Sequence, residues 1–426
     1  MGDPDIESNE HIDVHGEFLD MGGDRYYVIR NVHKMAPFFI SVASADDHWL
    51  FASSAGGLTA GRVSPETALF PYDTVDRLHL SINDTGPKTI VRLDGAGEQR
   101  CWEPFNTQQF NRYAIRRNLY KSFLGDKLCF EEVNEDLGLA FRYTWSTSEE
   151  FGFVRDCQLL NTGTATARAD VLDGLQNVLP AGTPRFTQTN SSNLVNAYKW
   201  AEIDESTGLA FLTLYSGITD RAEPCESLKA TSVFCLGAEN PSYLVSSTQL
   251  NAFRNGADVA PEPRKRGIRS SYFCVQSLAL GPGEAHNWRF VMNAEQSQAE
   301  LVELRHRLRQ PGQLADEIDA SVAAGSNKLA RIMAAADGFQ STAEETVSAH
   351  HYANVLFNVL RGGIFDDGYN VSSQDFGQTV ALFNSRVAER NRDLLDDLPE
   401  RLSYKELLDR VQTSGDEQLQ RLALEY

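Results

Sequence analysis

Several features that would narrow the function are missing from this sequence. No run reaches the ~18 apolar residues that a membrane-spanning helix needs, so no spanning helix is expected. The opening residues, MGDPDIESNEHIDVHGEF, carry neither a basic segment nor an apolar one. They do not read as a secretory signal, and a cytoplasmic location is expected. Ile6 stands where N-myristoylation needs Ser or Thr. The six cysteines (Cys101, Cys129, Cys157, Cys225, Cys235 and Cys274) include no C-x-x-C pair, and several sit in apolar runs such as LCFEEV and YFCVQ. Reduced, mostly buried thiols are expected. G-x-S-x-G, H-E-x-x-H and P-loop patterns are absent, so no cofactor or metal is expected. Positive charge is also short: 39 Lys and Arg against 59 Asp and Glu give a net charge of −20. That balance disfavours nucleic acid and anionic membranes as partners, because both are polyanions. A neutral sugar is indifferent to it.

What is present is a globular composition, with 42% hydrophobic residues. At about 150 residues per domain, 426 residues allow two or three domains, although one large sandwich can exceed 200 residues. The pattern changes near residue 295. Before it, short β-rich runs alternate with turn signals: YYVIRNV (26–32), FFISVAS (38–44), HWLFASS (48–54) and KTIVRL (88–93). In LGLAFRYTW, Leu139, Phe141, Tyr143 and Trp145 alternate with their neighbours, the period of a half-buried strand. FGFVRDCQLLN (151–161) and ARADVLDGLQNVL (167–179) flank the turn NTGTAT and predict a hairpin. About a dozen or more strands without intervening helices predict antiparallel sheets packed face to face. The fold class is therefore α+β: a large antiparallel β-sandwich over 1–296, then helices over 297–426.

The helical part carries its own signals. Ser297 with Glu300, and Ser341 with Glu344, have capping-box spacing. Pro311-Gly312 and Gly362-Gly363 read as stops, and a further helix is expected over 373–397, ended by Pro399. The last segment restarts a helix at Ser414 and leaves Leu419, Leu422 and Leu424 needing a partner. The expectation is a helical linker leading to a downstream domain.

Three stretches are similar to the N-terminal part of glycoside hydrolase family 94, the cellobiose-phosphorylase-like enzymes. LALGPGEAHNWRFVMNAEQSQAELVELRHRL (278–308) resembles that family's final sandwich strands and the helix after them. RDCQLLNTGTATARADVLDGLQNVLP (155–180) resembles its strand–turn–strand unit, and WLFASSAGGLTAGRVSPETALFPYDTVD (49–76) its early segment. The resemblance implies a sandwich of the galactose mutarotase-like, supersandwich type, then linker helices, then a catalytic (α/α)6 barrel downstream. It implies a module that supports phosphorolysis of a β-glucoside or related disaccharide, with homodimer formation. No catalytic residue carries over, because the barrel holds them in that family.

Sugar sites set flat rings against pyranose faces and place carboxylates, amides and Arg on the hydroxyls. Trp49, Arg62, Tyr72 and Asp73 in the early segment, with Trp102 beside Glu103, are the candidate contacts for a disaccharide or oligosaccharide. An alternative acidic site is Asp366, Asp367 and Asp375, since paired carboxylates serve acid/base work on glycosidic bonds. His350 and His351 are adjacent and share no helix face, so no metal is expected there. The basic run PRKRGIR (263–269) reads as an exposed loop. Two other readings stand beside the accessory module: a self-contained epimerase-like sandwich using His286 and Glu284, or a structural, protein-binding module.

Overall fold

The computed structural model describes residues 13–94, 99–218, 222, 226–361 and 370–426. The chain divides into two compact units, Met1–Ala330 and Arg331–Tyr426.

The first unit opens with β1 (His15–Met21) and β2 (Asp24–Arg30), then a meander of β3 (Phe39–Val42), β4 (His48–Ser53), β5 (Leu58–Arg62) and β6 (Ala68–Phe70). Helix α1 (Val75–Leu80) leads to β7 (Gly86–Asp94) and β8 (Gln99–Trp102). A second meander follows: β9 (Ile115–Ser122), β10 (Leu128–Asn134), β11 (Leu139–Ser148) and β12 (Gly152–Asn161). Next come β13 (Ala167–Gln176), α2 (Arg185–Tyr198), β14 (Lys199–Asp204), β15 (Leu209–Leu214) and β16 (Lys229–Leu236). The series ends with β17 (Ser242–Leu244), α3 (Leu250–Arg254), β18 (Arg264–Arg266), β19 (Ser271–Leu280) and β20 (Ala285–Ser297).

Three antiparallel sheets result. The largest runs β1-β2-β9-β10-β11-β12-β20-β16-β15-β14-β18, the second β17-β19-β13-β7-β8, and the third β3-β4-β5-β6. One hydrophobic core joins their inner faces, from Phe130, Phe141 and Trp288 through Val91 and Tyr272 to Leu50 and Ala60. The alternation in β11 is the cause in miniature: Leu139, Phe141, Tyr143 and Trp145 all enter this core, while Arg142 and Thr144 face the other way, half-buried. This is the large antiparallel sandwich that the strand density predicts. Cys129, Cys157, Cys235 and Cys274 are buried free thiols and Cys101 a half-buried one; Cys225 lies outside the described residues.

The hairpin predicted over 151–179 does not form. β12 pairs with β11 and β20, whereas β13 pairs with β19 and β7, so the chain crosses from one sheet to the other at 162–166. Both strands bury alternate residues in the same core from opposite sides, and that pattern looks identical in a hairpin. The Asn161 amide holds the crossover by donating to Ala165 O and Leu280 O, both at 2.8 Å. The basic run is not a loop either. Arg264–Arg266 is an edge strand on β14, with the Arg266 guanidinium 3.5 Å above the Trp200 ring.

Helices α4 (Gln298–Arg307) and α5 (Pro311–Ala335) follow β20. The Ser297–Glu300 capping box is present at α4. Leu304, Leu308, Leu314 and Ile318 form a second core with Phe151, Val154, Phe234 and Val291 on the outer face of the largest sheet. That packing carries the first compact unit past residue 296, where strand gives way to helix. Small side chains let α5 approach closely: Ser321 Oγ lies 2.7 Å from Ser148 Oγ, and Ser326 donates to Asp126.

In the second unit the Ser341–Glu344 box is not made. Helix α6 (Glu345–Leu360) begins one residue after Glu344 without a side-chain cap. The helix expected over 373–397 is broken into α7 (Ser373–Phe383), α8 (Ser385–Arg390) and α9 (Arg392–Asp396). Asn384 sits at φ −155°, ψ 91°, and its side chain accepts from Val387 N–H, so it starts a new helix instead of extending the old one. A two-stranded sheet, β21 (Asn370–Ser372) with β22 (Arg401–Ser403), accompanies α10 (Tyr404–Thr413) and α11 (Glu417–Glu425). Val371, Phe376, Val380, Val387, Leu407, Val411 and Leu419 close a core of their own. Leu419 and Leu422 thus find their partners inside this segment, where the sequence reading expects linker helices; Leu424 stays exposed. Among the described residues no helix is long and apolar enough to cross a membrane.

Asp416 caps α11, accepting from Gln418 and Leu419 N–H. Its contacts with the Asn391 amide first, and then with Arg390, hold its carboxyl down at about 2. A depressed carboxyl stabilises the fold above its unfolded pKa, and that contribution is lost as pH falls from about 4 toward 2. Asp416→Ala should destabilise this segment by roughly 1–2 kcal/mol at neutral pH. Hydrogen exchange should show faster exchange of the α11 amides, and the difference from wild type should shrink as pH falls through 2.

Candidate functional site

Strands β3, β4 and β5 divide their side chains between the core and an outer face, with Ser53 and Thr59 the buried exceptions on the outer face, while β6 is buried throughout. Even-numbered residues Ile40, Val42, Leu50, Ala52, Leu58 and Ala60 enter the core. The odd-numbered side face is therefore turned outward, and it carries Phe39, Trp49 and Phe51. Register places Phe39 opposite Ser53, and Ser41 opposite Phe51. Phe39 and Phe51 stack at 5.3 Å between centroids, and Phe51 stacks with Trp49 at 6.1 Å. Tyr72, beyond β6, meets Trp49 edge-on at 5.4 Å. The row Phe39–Phe51–Trp49–Tyr72 is thus continuous, with Phe39 45% and Tyr72 36% exposed.

Gly61 makes the row possible. It lies opposite Trp49 in the ladder, and a Cβ there would collide with Trp49 Cζ2. Without a side chain on β5, the indole lies across its neighbour, and its Nε1–H donates to Ser64 O at 3.3 Å. The indole is polar-satisfied and held in place, with its apolar surface left half-exposed.

Of the residues singled out by sequence, the structure brings Trp49 and Tyr72 together. Arg62 continues the even-numbered side of β5. Its guanidinium bonds Asn293 Oδ1 at 3.0 Å and pairs with Asp47 at 2.8 Å. It ties the small sheet to the large one and is spent there. Asp73 leaves the row to pair with Arg77 at 3.5 Å. Trp102 is a correction: it is 0% exposed, and its Nε1–H donates to Glu132 Oε1 at 2.7 Å inside the core. Its position on β8 faces Val91 and the sandwich interior, so no ligand can touch it. Phe39 and Phe51 were missed, although their alternation with Ile40, Leu50 and Ala52 is a legible signal.

Of the acidic alternative, Asp375 lies among the described residues. Asp366 and Asp367 lie outside them. The backbone N–H of Asp375 donates to Ser372 Oγ at the start of α7, and its carboxylate accepts from Tyr426 OH. For the epimerase reading, Glu284 accepts from Gly281 N–H at 2.7 Å within its own turn, and His286 Nε2 lies 3.2 Å from Gln276 Oε1.

Several buried carboxylates elsewhere in the sandwich are tied into ion pairs. Glu132 accepts from Trp102, from Phe105 N–H at 2.6 Å and from Arg117 Nε at 2.7 Å. Glu131 accepts from Asn118, Tyr120 and Arg142; these contacts, Arg142 foremost, hold its carboxyl below the usual carboxylate range against the opposing effect of burial. Glu103 is clasped by Lys88 at 2.8 Å and Arg254 at 2.6 Å. Asp173 meets Arg155 at 3.0 Å. Paired in this way, they brace the fold.

Residues 365–426 match the family model described as glycoside hydrolase family 149 insertion domain 1. The core from Val371 to Ala423 falls within that match. No curated protein matches the chain. Solved structures similar to it include a protein of Escherichia coli K12 assigned as an aldose 1-epimerase, with 11% identity and a TM-score of 0.31, covering 61% of this chain and 100% of that one. A protein assigned as a kojibiose phosphorylase, from the human microbiome, has 6% identity and a TM-score of 0.33, covering 62% of this chain and 30% of that one. A bacterial glucoamylase complexed with acarbose has 11% identity and a TM-score of 0.39, covering 87% and 53%. The chain spans about a third of that phosphorylase and about half of the glucoamylase. Through residues 365–426, it is related to a family of carbohydrate-active enzymes.

Proposed function

We propose that this chain is a non-catalytic, carbohydrate-binding and structural module of a glycoside phosphorylase-like enzyme, of the kind implied by the resemblance to glycoside hydrolase family 94. The observation that carries the reading is the aromatic row Phe39–Phe51–Trp49–Tyr72 on an outward sheet face. Apolar pyranose faces stack on such rings, and successive rings 5–6 Å apart offer a track for a short oligosaccharide. The paired buried carboxylates support the non-catalytic part. The catalytic barrel and a second copy of the chain are the proposed protein partners.

The test is a tryptophan-fluorescence titration with cellobiose and cellotetraose. A saturable change is expected with the longer sugar, and Trp49→Ala should weaken binding roughly tenfold or more. Gly61→Ala, whose Cβ would meet both Trp49 Cζ2 and the backbone at Thr67 O and Ala68 Cα, should weaken binding as well. No release of glucose 1-phosphate is expected from cellobiose and inorganic phosphate. A wild-type isotherm in Trp49→Ala, or turnover of cellobiose, overturns the reading. A row that binds no sugar is instead an apolar surface for a protein partner.

A further inference from the structure

Lys199 is the first residue of β14, and its side chain shares the inner face with Ala201 of the core. It is only 5% exposed. Among the described residues its ammonium has no carboxylate partner and no hydrogen-bond acceptor. The charged group that acts on it is another cation, Arg269; burial first and this guanidinium second bring the amine down to about 8. Lys199 is thus a buried lysine without an ion-pair partner, which is a costly arrangement. In a chain with twenty more acidic than basic residues, a buried ammonium with no carboxylate partner, acted on by a second cation, calls for a reason.

Both residues line a cavity of about 390 Å³ beneath α1 and α2. Its lining includes the apolar residues Leu179 and Val195 and the amide-bearing residues Asn177 and Asn196. Asn177 is held in a left-handed conformation at φ 55°, with its amide donating to Thr85 Oγ1 at 3.0 Å. Two carboxylates also reach the cavity, Asp73 and Asp84; Asp73 is already paired with Arg77. We propose that this cavity is a binding site for a phosphate-bearing small molecule, its dianion held between Lys199 and Arg269. A phosphate group supplies the missing counter-charge and accepts from both cations at once. The volume is in the range of small-molecule sites and exceeds what a bare ion fills, so the amides and the Leu179–Val195 wall are left to contact the body of a phosphate ester. The site is separate from the aromatic row and does not depend on the sugar-binding reading.

Calorimetric titration of the full chain at constant ionic strength tests it, with inorganic phosphate, glucose 6-phosphate and glucose as probes. Both phosphates should bind and glucose should be silent. Tighter binding of the ester assigns the site to a sugar phosphate, and equal binding assigns it to free phosphate. Lys199→Met should weaken phosphate binding at least roughly tenfold, as loss of one partner of a buried charge pair does. Without ligand, the same variant should melt at a higher temperature, because a buried lysine without an ion-pair partner is gone. Arg269→Gln, at an exposed position, should fold normally and bind several-fold more weakly. Trp49→Ala should bind phosphate as wild type does. Silence with both phosphates, or wild-type affinity in Lys199→Met and Arg269→Gln, overturns the proposal.

Discussion

Asp173→Leu is expected to destabilise the sandwich by roughly 3–5 kcal/mol, the usual penalty for leaving one half of a buried ion pair alone. Arg155 on β12 and Asp173 on β13 reach across the core from opposite sheets, and they are 0% and 1% exposed. Asp173 accepts from both terminal nitrogens of Arg155 at 3.0–3.1 Å, from Trp288 Nε1 at 2.8 Å and from Thr89 Oγ1 at 2.7 Å. Leucine removes every acceptor and strands a guanidinium in the interior, where it also sits 4.6 Å from the Tyr143 ring centroid. Arg155→Met alone should be comparably damaging. Arg155→Met combined with Asp173→Leu should recover much of the loss, since replacing both charges with apolar groups removes the desolvation penalty together with the attraction. Recovery should be incomplete, because Trp288 and Thr89 still lack their acceptor. Urea unfolding followed by tryptophan fluorescence reads this directly: all five tryptophans, from Trp49 to Trp288, lie in the first compact unit. Additive single and double variants would show that the two residues do not act as a pair.

Glu132→Ala should be nearly as severe, at about 4 kcal/mol. Glu132 is 0% exposed and is the common acceptor for Trp102 Nε1, Phe105 N–H and Arg117 Nε. Alanine leaves all three donors without an acceptor, one of them charged, and opens a void where the carboxylate was. Phe105 adds to the loss: it sits at φ 66°, and the Glu132 contact fixes the backbone there. Glu132→Gln keeps one acceptor and the shape, and should lose about half as much. If Ala and Gln lose equally, the carboxylate charge is the whole of the effect and the shared geometry is not. A loss of this size is a large part of a typical stability of 5–15 kcal/mol, so low soluble yield at 37 °C is the practical sign of it.

These two residues illustrate how far the sequence can be read. Glu132 stands in LCFEEV next to Glu131, and nothing local distinguishes a core hub from a surface acid. Trp102, its partner, stands beside Glu103 in the sequence and reads as a candidate sugar contact; its burial against Glu132, thirty positions later, is settled only by the fold. The crossing at 162–166 was unreadable for a related reason. A strand's alternation records which residues are buried and is silent about which edge pairs with which neighbour. By contrast, the Ser297–Glu300 box and the Leu139–Trp145 alternation were legible and are present, because each is settled by residues within one or two turns or one strand.

The candidate site divides along the same line. Small residues around Trp49 and the alternation in β3 and β4 are written in the chain, and they place aromatic rings on one face of a strand. Only the folded sheet sets Gly61 beneath Trp49 and brings Tyr72 from beyond β6 into the row. Composition and periodicity by themselves determined the sandwich class, the acidic balance and the change to helix near residue 295. Tertiary structure decided the sheet partners, the core of residues 371–423, the burial of Trp102 and the burial of Lys199 on a cavity that Arg269 also lines. The physical reason is range. Strand period and helix caps are enforced by near neighbours in sequence, whereas burial, ion pairing and cavity shape are set by groups tens to hundreds of residues away.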